Sequence, residues 1–145
     1  MDPLALVDTW PARTVSAAVM VGDEVVARRG PGDVVYELAS VTKPATALAV
    51  LVAHEEGSLD LEEVVTPAGA TVADLLCHAG GIAPDERRQM APPRTRRIYS
   101  TAAYDMVADL VAARTGLTMA AYLAEAVAEP LGATGLALVG SAGAG

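Results

Sequence analysis

A helical segment that is apolar on almost every face constrains this sequence more strongly than any other feature. From Val41 to Glu56 the pattern is helical, and Gly57 follows as a residue well suited to end a helix. The middle of the segment, from Ala45 to Ala53, carries apolar side chains nearly all round. A helix of this kind is buried on all sides in a globular core. We therefore predict a buried helix over 41–56.

The composition indicates what such a core is made of. Apolar residues make up 52% of the 145 residues, aromatic residues make up only 3%, and Phe is absent. The core must therefore be built from Ala, Val and Leu, which requires close backbone approach. The length suits one domain, and we expect a single domain over 1–145. The formal net charge of −8 argues against a nucleic-acid partner, because phosphate binding needs clustered cations.

Several kinds of site and location are not indicated. The lone cysteine, Cys77, cannot form an intramolecular disulfide, and His54 and His78 lack ligand-like neighbours, so we predict no metal and no cofactor. The N-terminus has no signal-peptide pattern. The longest apolar run, from Ala47 to Ala53, is far shorter than the roughly 18–20 residues of a membrane span. As written, the chain is predicted to be cytoplasmic, or exported if a leader was removed.

Strand and turn signals precede the central helix. The runs 14–21 and 24–28 are rich in β-forming residues and flank Gly22 and Asp23, which predicts a hairpin. Residues 34–36 favour a short third strand after the next turn.

Three helices are predicted to follow the central one. Thr71 is placed to cap the first of them, and Asp74 completes a capping box. The predicted helical ranges are 72–78, 102–114 and 118–128.

A polar stretch over 85–97 separates two of these helices. It holds five of the ten basic residues and two prolines. Because charge runs are usually exposed, we predict a surface loop. The sharper alternative is an active-site rim that selects acidic substrates.

The tetrapeptide that begins at Ser40 and ends at Lys43 contains a candidate nucleophile and a candidate base. It lies at a predicted strand-to-helix junction. A serine hydroxyl is a poor nucleophile until a nearby base takes its proton, and a helix N-terminus favours developing negative charge. Lys43 lies one turn further along the same face, so its amine can reach the hydroxyl. The positive helix end and burial favour the neutral amine, which can act as a base. These four residues alone also fit a simple helix N-cap at Ser40.

Three blocks, in the correct order, resemble the serine β-lactamase-like and penicillin-binding-protein-like hydrolases, especially the class C and esterase-like branch. The blocks are YELASVTKPATALAVLVAHEEGSLDLEEVV, ATVADLLCHAGGIAP and IYSTAAYDMVADLVAARTGLTMAAYLAEAVAEPLGATG. They span roughly residues 14 to 139, and Ser-x-x-Lys is a known motif of such proteins. The resemblance implies an α+β, β-lactamase/transpeptidase-like fold with helices packed on an antiparallel sheet.

The resemblance also implies roles for individual residues. Ser40 is the nucleophile, Lys43 is its base, and Tyr99 falls at the family's Tyr-x-Asn position, where the phenol shuttles protons. The alternative for Tyr99 is a ring buried at a helix start with its hydroxyl paired to the backbone. Thr101 is the substrate-binding position, where Asn is usual. Its hydroxyl on a shorter arm alters the positioning of Lys43 and the binding of a β-lactam.

A third family element, Lys/His-Thr/Ser-Gly on a strand, has no counterpart in the sequence. The candidate at 114–116 ends a helix, and we predict that Gly116 is a helix cap. We therefore expect a truncated version of the fold whose C-terminal sheet strands are missing. Its partly uncovered apolar faces should drive self-association or pairing with a missing C-terminal half.

Three interpretations stay open at this point. In the first, the chain is a serine hydrolase that attacks an ester, amide or β-lactam carbonyl of a small molecule or peptide through an acyl-enzyme on Ser40. In the second, the chain keeps the fold as a non-catalytic binding or assembly module or an inactive fragment. In the third, Ser-x-x-Lys is accidental in an unrelated Ala-rich α/β protein. The sequence does not separate β-lactamase, carboxypeptidase and esterase, which differ in pocket shape.

Overall fold

The computed structural model describes residues 3–139 of the chain. Both ends of the domain predicted over 1–145 lie outside the described residues, and the single domain stays a prediction. The chain forms two compact units, Met1–Glu37 and Leu38–Gly145.

The first unit is built on a β-hairpin. Strands β1 (Ala17–Val21) and β2 (Glu24–Arg29) pair antiparallel, which confirms the predicted hairpin. Gly22 has φ +59°, a left-handed conformation that tight hairpin turns require and that glycine adopts without strain. A 3-10 helix, Pro3–Thr9, completes this unit, and its Asp8 carboxylate accepts a hydrogen bond of 2.9 Å from Arg29 Nε.

The third strand predicted over 34–36 does not form. These residues lie outside the two-stranded sheet of the described chain. The Tyr36 hydroxyl lies 2.7 Å from Ser16 Oγ, and Ser16 Oγ also donates to the Pro31 carbonyl at 2.5 Å. The segment is therefore attached through side-chain hydroxyls, and β-propensity alone did not provide a strand partner.

The second unit contains the helices, and their bounds agree closely with the sequence. The helices are α1 (Thr42–Glu55), α2 (Val72–Leu76), α3 (Thr101–Thr115) and α4 (Met119–Leu123), and α4 continues into a π-helical turn, Ala124–Ala128. The predictions over 41–56, 102–114 and 118–128 are confirmed to within one residue at each end. The predicted helix over 72–78 ends earlier, at Leu76.

The core of this unit is made of small apolar side chains, as the composition requires. Buried residues of all four helices form one cluster, in which Tyr122 is the one aromatic residue among the described positions. The buried members from α1 and α3 are Ala49, Val50, Ala53, Ala102, Ala103, Val107 and Val111. Small side chains allow these helix backbones to approach closely.

Helix α1 is not buried on all sides, so that prediction is wrong. Leu48 is 42% exposed and Leu51 is 46% exposed on one face of the helix. An apolar sequence indicates that a face can be covered, but it does not provide the element that covers it. The expectation of a partly uncovered apolar face on this helix matches these two leucines.

Helix α2 begins with the predicted capping box. Asp74 N–H donates to Thr71 Oγ1 at 3.2 Å, and Thr71 N–H donates to Asp74 Oδ2 at 2.9 Å. The buried Asp74 carboxylate also forms an ion pair with Arg94. Arg94 belongs to the segment 85–97, which lies outside helices and strands and is mostly exposed. The capping box therefore also anchors this loop to α2.

Among the described residues, no helix combines the length and the hydropathy needed to cross a lipid bilayer.

We predict that Asp74→Ala lowers the free energy of unfolding by about 1–3 kcal/mol, because it removes a helix cap and the partner of Arg94 together. Urea unfolding followed by circular dichroism measures this change. The matched control is Asp105→Ala, which removes an exposed carboxylate within α3 and should change stability by less than about 0.5 kcal/mol. Equal stability of the two variants would contradict a stabilising capping box.

Candidate active site

Ser40 lies in a single 3-10 turn, Ala39–Val41, that leads directly into α1. The residue flanking α1 is Val41, and no side chain caps this helix. The N-cap interpretation of Ser40 is therefore wrong. Ser40 is exposed.

The backbone directly before Ser40 is strained. Ala39 has φ +45°, in the left-handed region that non-glycine residues occupy at a cost of order 1–3 kcal/mol. The Thr42 hydroxyl donates to the Ala39 carbonyl at 2.6 Å and helps to hold this turn. Strain of this kind concentrates at functional sites, so it supports a role for Ser40 beyond local structure.

The Lys43 amine lies between two hydroxyl groups. Lys43 Nζ is 3.4 Å from Ser40 Oγ and 3.5 Å from Thr101 Oγ1. Thr101 is the first residue of α3, so the amine also links the beginning of α1 to the beginning of α3. Lys43 is the only lysine in the sequence. The shorter Thr101 arm thus still reaches the amine, at the long limit of a hydrogen bond.

Tyr99 joins this cluster from the segment before α3. Its ring centroid lies 4.9 Å from Lys43 Nζ, within the range of a cation–π contact. The side chain is 47% exposed, so the alternative of a ring buried at a helix start is wrong. Hydrogen bonding to Ser40, then to Lys43, together with the positive charge of Lys43, lowers the pKa of the Tyr99 phenol below its ordinary value of 10.0.

The buried Ser100 fixes the residues on either side of it. Its hydroxyl accepts from Ala103 N–H at 2.9 Å, as the N-cap of α3, and donates to the Ala83 carbonyl at 2.7 Å. Thr101 N–H donates to the Pro84 carbonyl at 2.7 Å. Tyr99 and Thr101 are therefore held by a hydrogen-bonded helix start, which is the support that a preorganised site requires.

Two further residues lie in this cluster, one beside Lys43 and one beside Tyr99, and sequence reasoning missed both. The Tyr104 ring centroid lies 5.6 Å from Lys43 Nζ, and its hydroxyl donates to the Leu76 carbonyl at 3.0 Å. Burial, followed by the nearby Tyr99 and Cys77, raises the pKa of Tyr104, which keeps this phenol neutral.

The second missed residue is His78, which the sequence presented only as an unsupported metal ligand. Its buried ring lies 4.4 Å from the Tyr99 ring and 5.4 Å from the Tyr104 ring, between centroids. The signal that could have found it is its place in the block ATVADLLCHAGGIAP, which follows the nucleophile block.

The structure thus brings together all four residues that the sequence singled out, namely Ser40, Lys43, Tyr99 and Thr101. They come from the turn before α1, from α1 itself, from the segment before α3 and from the first residue of α3. The Lys43 amine contacts both the Ser40 hydroxyl and the Tyr99 ring. A hydroxyl, an amine and a phenol gathered in this way suit the proton transfers that nucleophilic attack by a hydroxyl requires.

The segment at 114–116 is the end of α3. Gly116 caps the helix with φ +76°, and its N–H donates to the Ala112 carbonyl at 3.0 Å. The prediction of a helix cap is confirmed, and this segment is not a strand beside the nucleophile.

Comparison with known proteins identifies the family. The family model described as Beta-lactamase matches residues 5–142. The chain belongs to the beta-lactamase family. The predicted family is therefore confirmed, and the interpretation as an unrelated Ala-rich α/β protein is wrong. A search among curated proteins found no significant match.

Two solved structures show the same fold. A beta-lactamase from Mycobacterium bovis matches 89% of this chain with 41% identity and a TM-score of 0.85. An octameric penicillin-binding protein homologue from Pyrococcus abyssi matches 75% of it with 22% identity and a TM-score of 0.65, which shows the fold alone. The β-lactamase/transpeptidase-like α+β fold is confirmed. The chain spans 47% of the first protein and 36% of the second.

We predict that Ser40→Ala and Lys43→Met each raise the pKa of the Tyr99 phenol, because each removes a hydrogen-bonding partner that favours the phenolate. Ultraviolet titration of the tyrosines measures this, and Tyr99→Phe identifies the signal to be followed. Tyr122 is an internal reference, since burial and the hydrogen bond to Glu56 raise its pKa to about 12. An unchanged Tyr99 titration in both variants would show that the three groups do not interact in solution.

Proposed function

We propose that this chain supplies the nucleophile, the base and the proton shuttle of a serine hydrolase that attacks an ester, amide or β-lactam carbonyl. The observation that carries the proposal is the position of Lys43 Nζ, 3.4 Å from Ser40 Oγ and 4.9 Å from the Tyr99 ring centroid. Membership of the beta-lactamase family supports the hydrolase class. Because the chain spans 47% of one solved relative and 36% of the other, the activity of a whole protein of this kind is part of the proposal.

The first half of the proposed reaction forms an acyl-enzyme. Ser40 Oγ attacks the carbonyl carbon, and its proton passes to Lys43, directly or through the Tyr99 phenolate. The positive end of α1 and the Ser40 N–H favour the negative charge that develops on the carbonyl oxygen. Collapse of the tetrahedral intermediate breaks the bond to the leaving group, which takes the proton back.

The second half releases the product. A water molecule attacks the acyl carbonyl, and the same amine and phenol accept the proton of that water. The bond to Ser40 Oγ then breaks, and the proton returns to the serine oxygen. The group that accepts a proton in one half of the cycle donates it in the other, so one cluster serves both steps.

An alternative proposal keeps the fold without the activity, as a binding or assembly module or an inactive fragment. The observation that favours it is that residues 114–116 end a helix and do not supply the third family element. Self-association of such a module is supported by the exposed Leu48 and Leu51. This alternative predicts a folded chain that no acylating reagent modifies.

We predict that an activated-serine reagent such as a fluorophosphonate labels the wild-type chain and spares Ser40→Ala. Lys43→Met should slow labelling by roughly 100-fold or more, because the base is lost. The matched control is Ser58→Ala, which removes a serine hydroxyl outside the cluster and should label like wild type. Labelling of Ser40→Ala at the wild-type rate would exclude Ser40 as the nucleophile, and a folded wild type that is not labelled would favour the alternative.

We further predict that Thr101→Val slows acylation by about fivefold, whereas Thr101→Ser keeps the wild-type rate. The valine has the same shape but lacks the hydroxyl that accepts from Lys43 Nζ at 3.5 Å, and one such hydrogen bond contributes about 1 kcal/mol. Pre-steady-state labelling with the same reagent gives the rates. Equal rates for valine and serine would mean that the Thr101 hydroxyl does not position the amine.

A further inference from the structure

His78 is hydrogen-bonded to both neighbours of Tyr99. Ile98 N–H donates to the His78 carbonyl at 2.9 Å, and Ser100 N–H donates to His78 Nδ1 at 3.2 Å. The main chain and the side chain of one residue therefore hold the two ends of a tripeptide whose middle residue is Tyr99.

The His78 ring also contacts the Tyr99 ring itself. The two ring centroids are 4.4 Å apart with the planes inclined by 42°, and Tyr104 packs nearby with its centroid 5.4 Å from His78. His78 has φ +64°, a left-handed conformation in which His, Asn and Asp are enriched among non-glycine residues. His78 is buried, has a strained backbone and is hydrogen-bonded to the residues on both sides of Tyr99. This combination indicates a role beyond filling space in the core.

We propose that His78 is a positioning residue that clamps the segment 98–100 and fixes the Tyr99 hydroxyl beside Ser40 and Lys43. This inference rests on the proposed function only where it predicts the rate at which Ser40 is acylated. Its effect on the conformation and titration of Tyr99 stands without any hydrolysis.

The clamp requires an uncharged imidazole. Because Ser100 N–H donates to Nδ1, that nitrogen carries no proton, and the proton of the neutral ring resides on Nε2. The charged and titratable groups around the ring are Lys43, Arg97, Tyr99 and Tyr104. Burial, followed by the positive charges of Arg97 and Lys43, lowers the pKa of His78 below its ordinary value of 6.5.

Acid should therefore open the clamp and destabilise the fold together. The His78 ring binds a proton less readily in the folded state than in the unfolded chain. The neutral ring therefore contributes its full stability to the fold above pH 6.5. The contribution of His78 to stability is then lost as the pH falls below 6.5 and through the lower pKa of the folded state.

The wild-type protein provides the first test, through long-range proton–nitrogen NMR of its two imidazoles. We expect His78 to be the neutral Nε2–H tautomer at pH 7, and His78→Asn assigns its signals. A protonated Nδ1 at neutral pH would overturn the clamp, whatever the variants do.

Two variants each remove one contribution of the His78 side chain to the clamp. His78→Phe keeps a ring but leaves Ser100 N–H without its acceptor, whereas His78→Asn keeps an acceptor in a left-handed residue but removes the ring. We expect both to return the pKa of Tyr99 toward 10.0, and to slow labelling by the activated-serine reagent by on the order of 10- to 100-fold. His54→Asn, which removes the other, exposed histidine, should change neither.

Failure of this inference is distinguishable from failure of the proposed function. An unchanged Tyr99 titration in either folded variant overturns the clamp even if the wild type is an active hydrolase. If the wild type is never acylated, the proposed function fails, while the imidazole tautomer and the Tyr99 titration still decide the role of His78.

Discussion

The contact between the Lys43 amine and the hydroxyls of Ser40 and Thr101 is the interaction on which the candidate site depends. It joins the first turn of α1 to the first turn of α3, and it exists only if these two helices lie close together. Small buried residues such as Ala49 and Ala103 allow that approach. The Ala-rich, Phe-free composition is thus a condition for the site as well as for the core.

A second layer of hydrogen bonds holds the groups that meet at Lys43. Ser100 bonds to two backbone groups through its hydroxyl and to His78 through its N–H. None of the buried side-chain polar atoms of the described residues lacks a partner. A fully hydrogen-bonded polar layer restricts the rotamers of the side chains that it supports. A partly exposed phenol such as Tyr99 can therefore keep one position.

The sequence predicted the features that depend on local signals. The hairpin, the capping box at Thr71 and the cap at Gly116 each follow from a few adjacent residues, and all are present. The helix bounds agree to within one residue except at the end of α2, which stops at Leu76. The failures concern tertiary partners. Residues 34–36 pair with no strand, and Leu48 stays exposed. In both cases the required partner lies elsewhere in the fold, so the local sequence does not reveal whether it is present.

The candidate site shows the same division. Ser40 and Lys43 were predictable because three residues of helical spacing bring them together. Tyr99 and Thr101 needed the family resemblance, since they lie about sixty positions after Ser40 in the sequence. The positioning function of His78 was not predicted, because it depends on contacts with residues about twenty positions away. No periodicity in its own segment indicates those contacts.

The most direct measurement of the central claim is peptide mapping by mass spectrometry after the wild-type chain has been quenched during turnover of a slow ester or β-lactam. The proposed chemistry predicts one acyl group per chain, bound through an ester to the oxygen of residue 40. An acyl group on any other side chain, or hydrolysis of the substrate without a covalent adduct, would contradict nucleophilic attack by this serine.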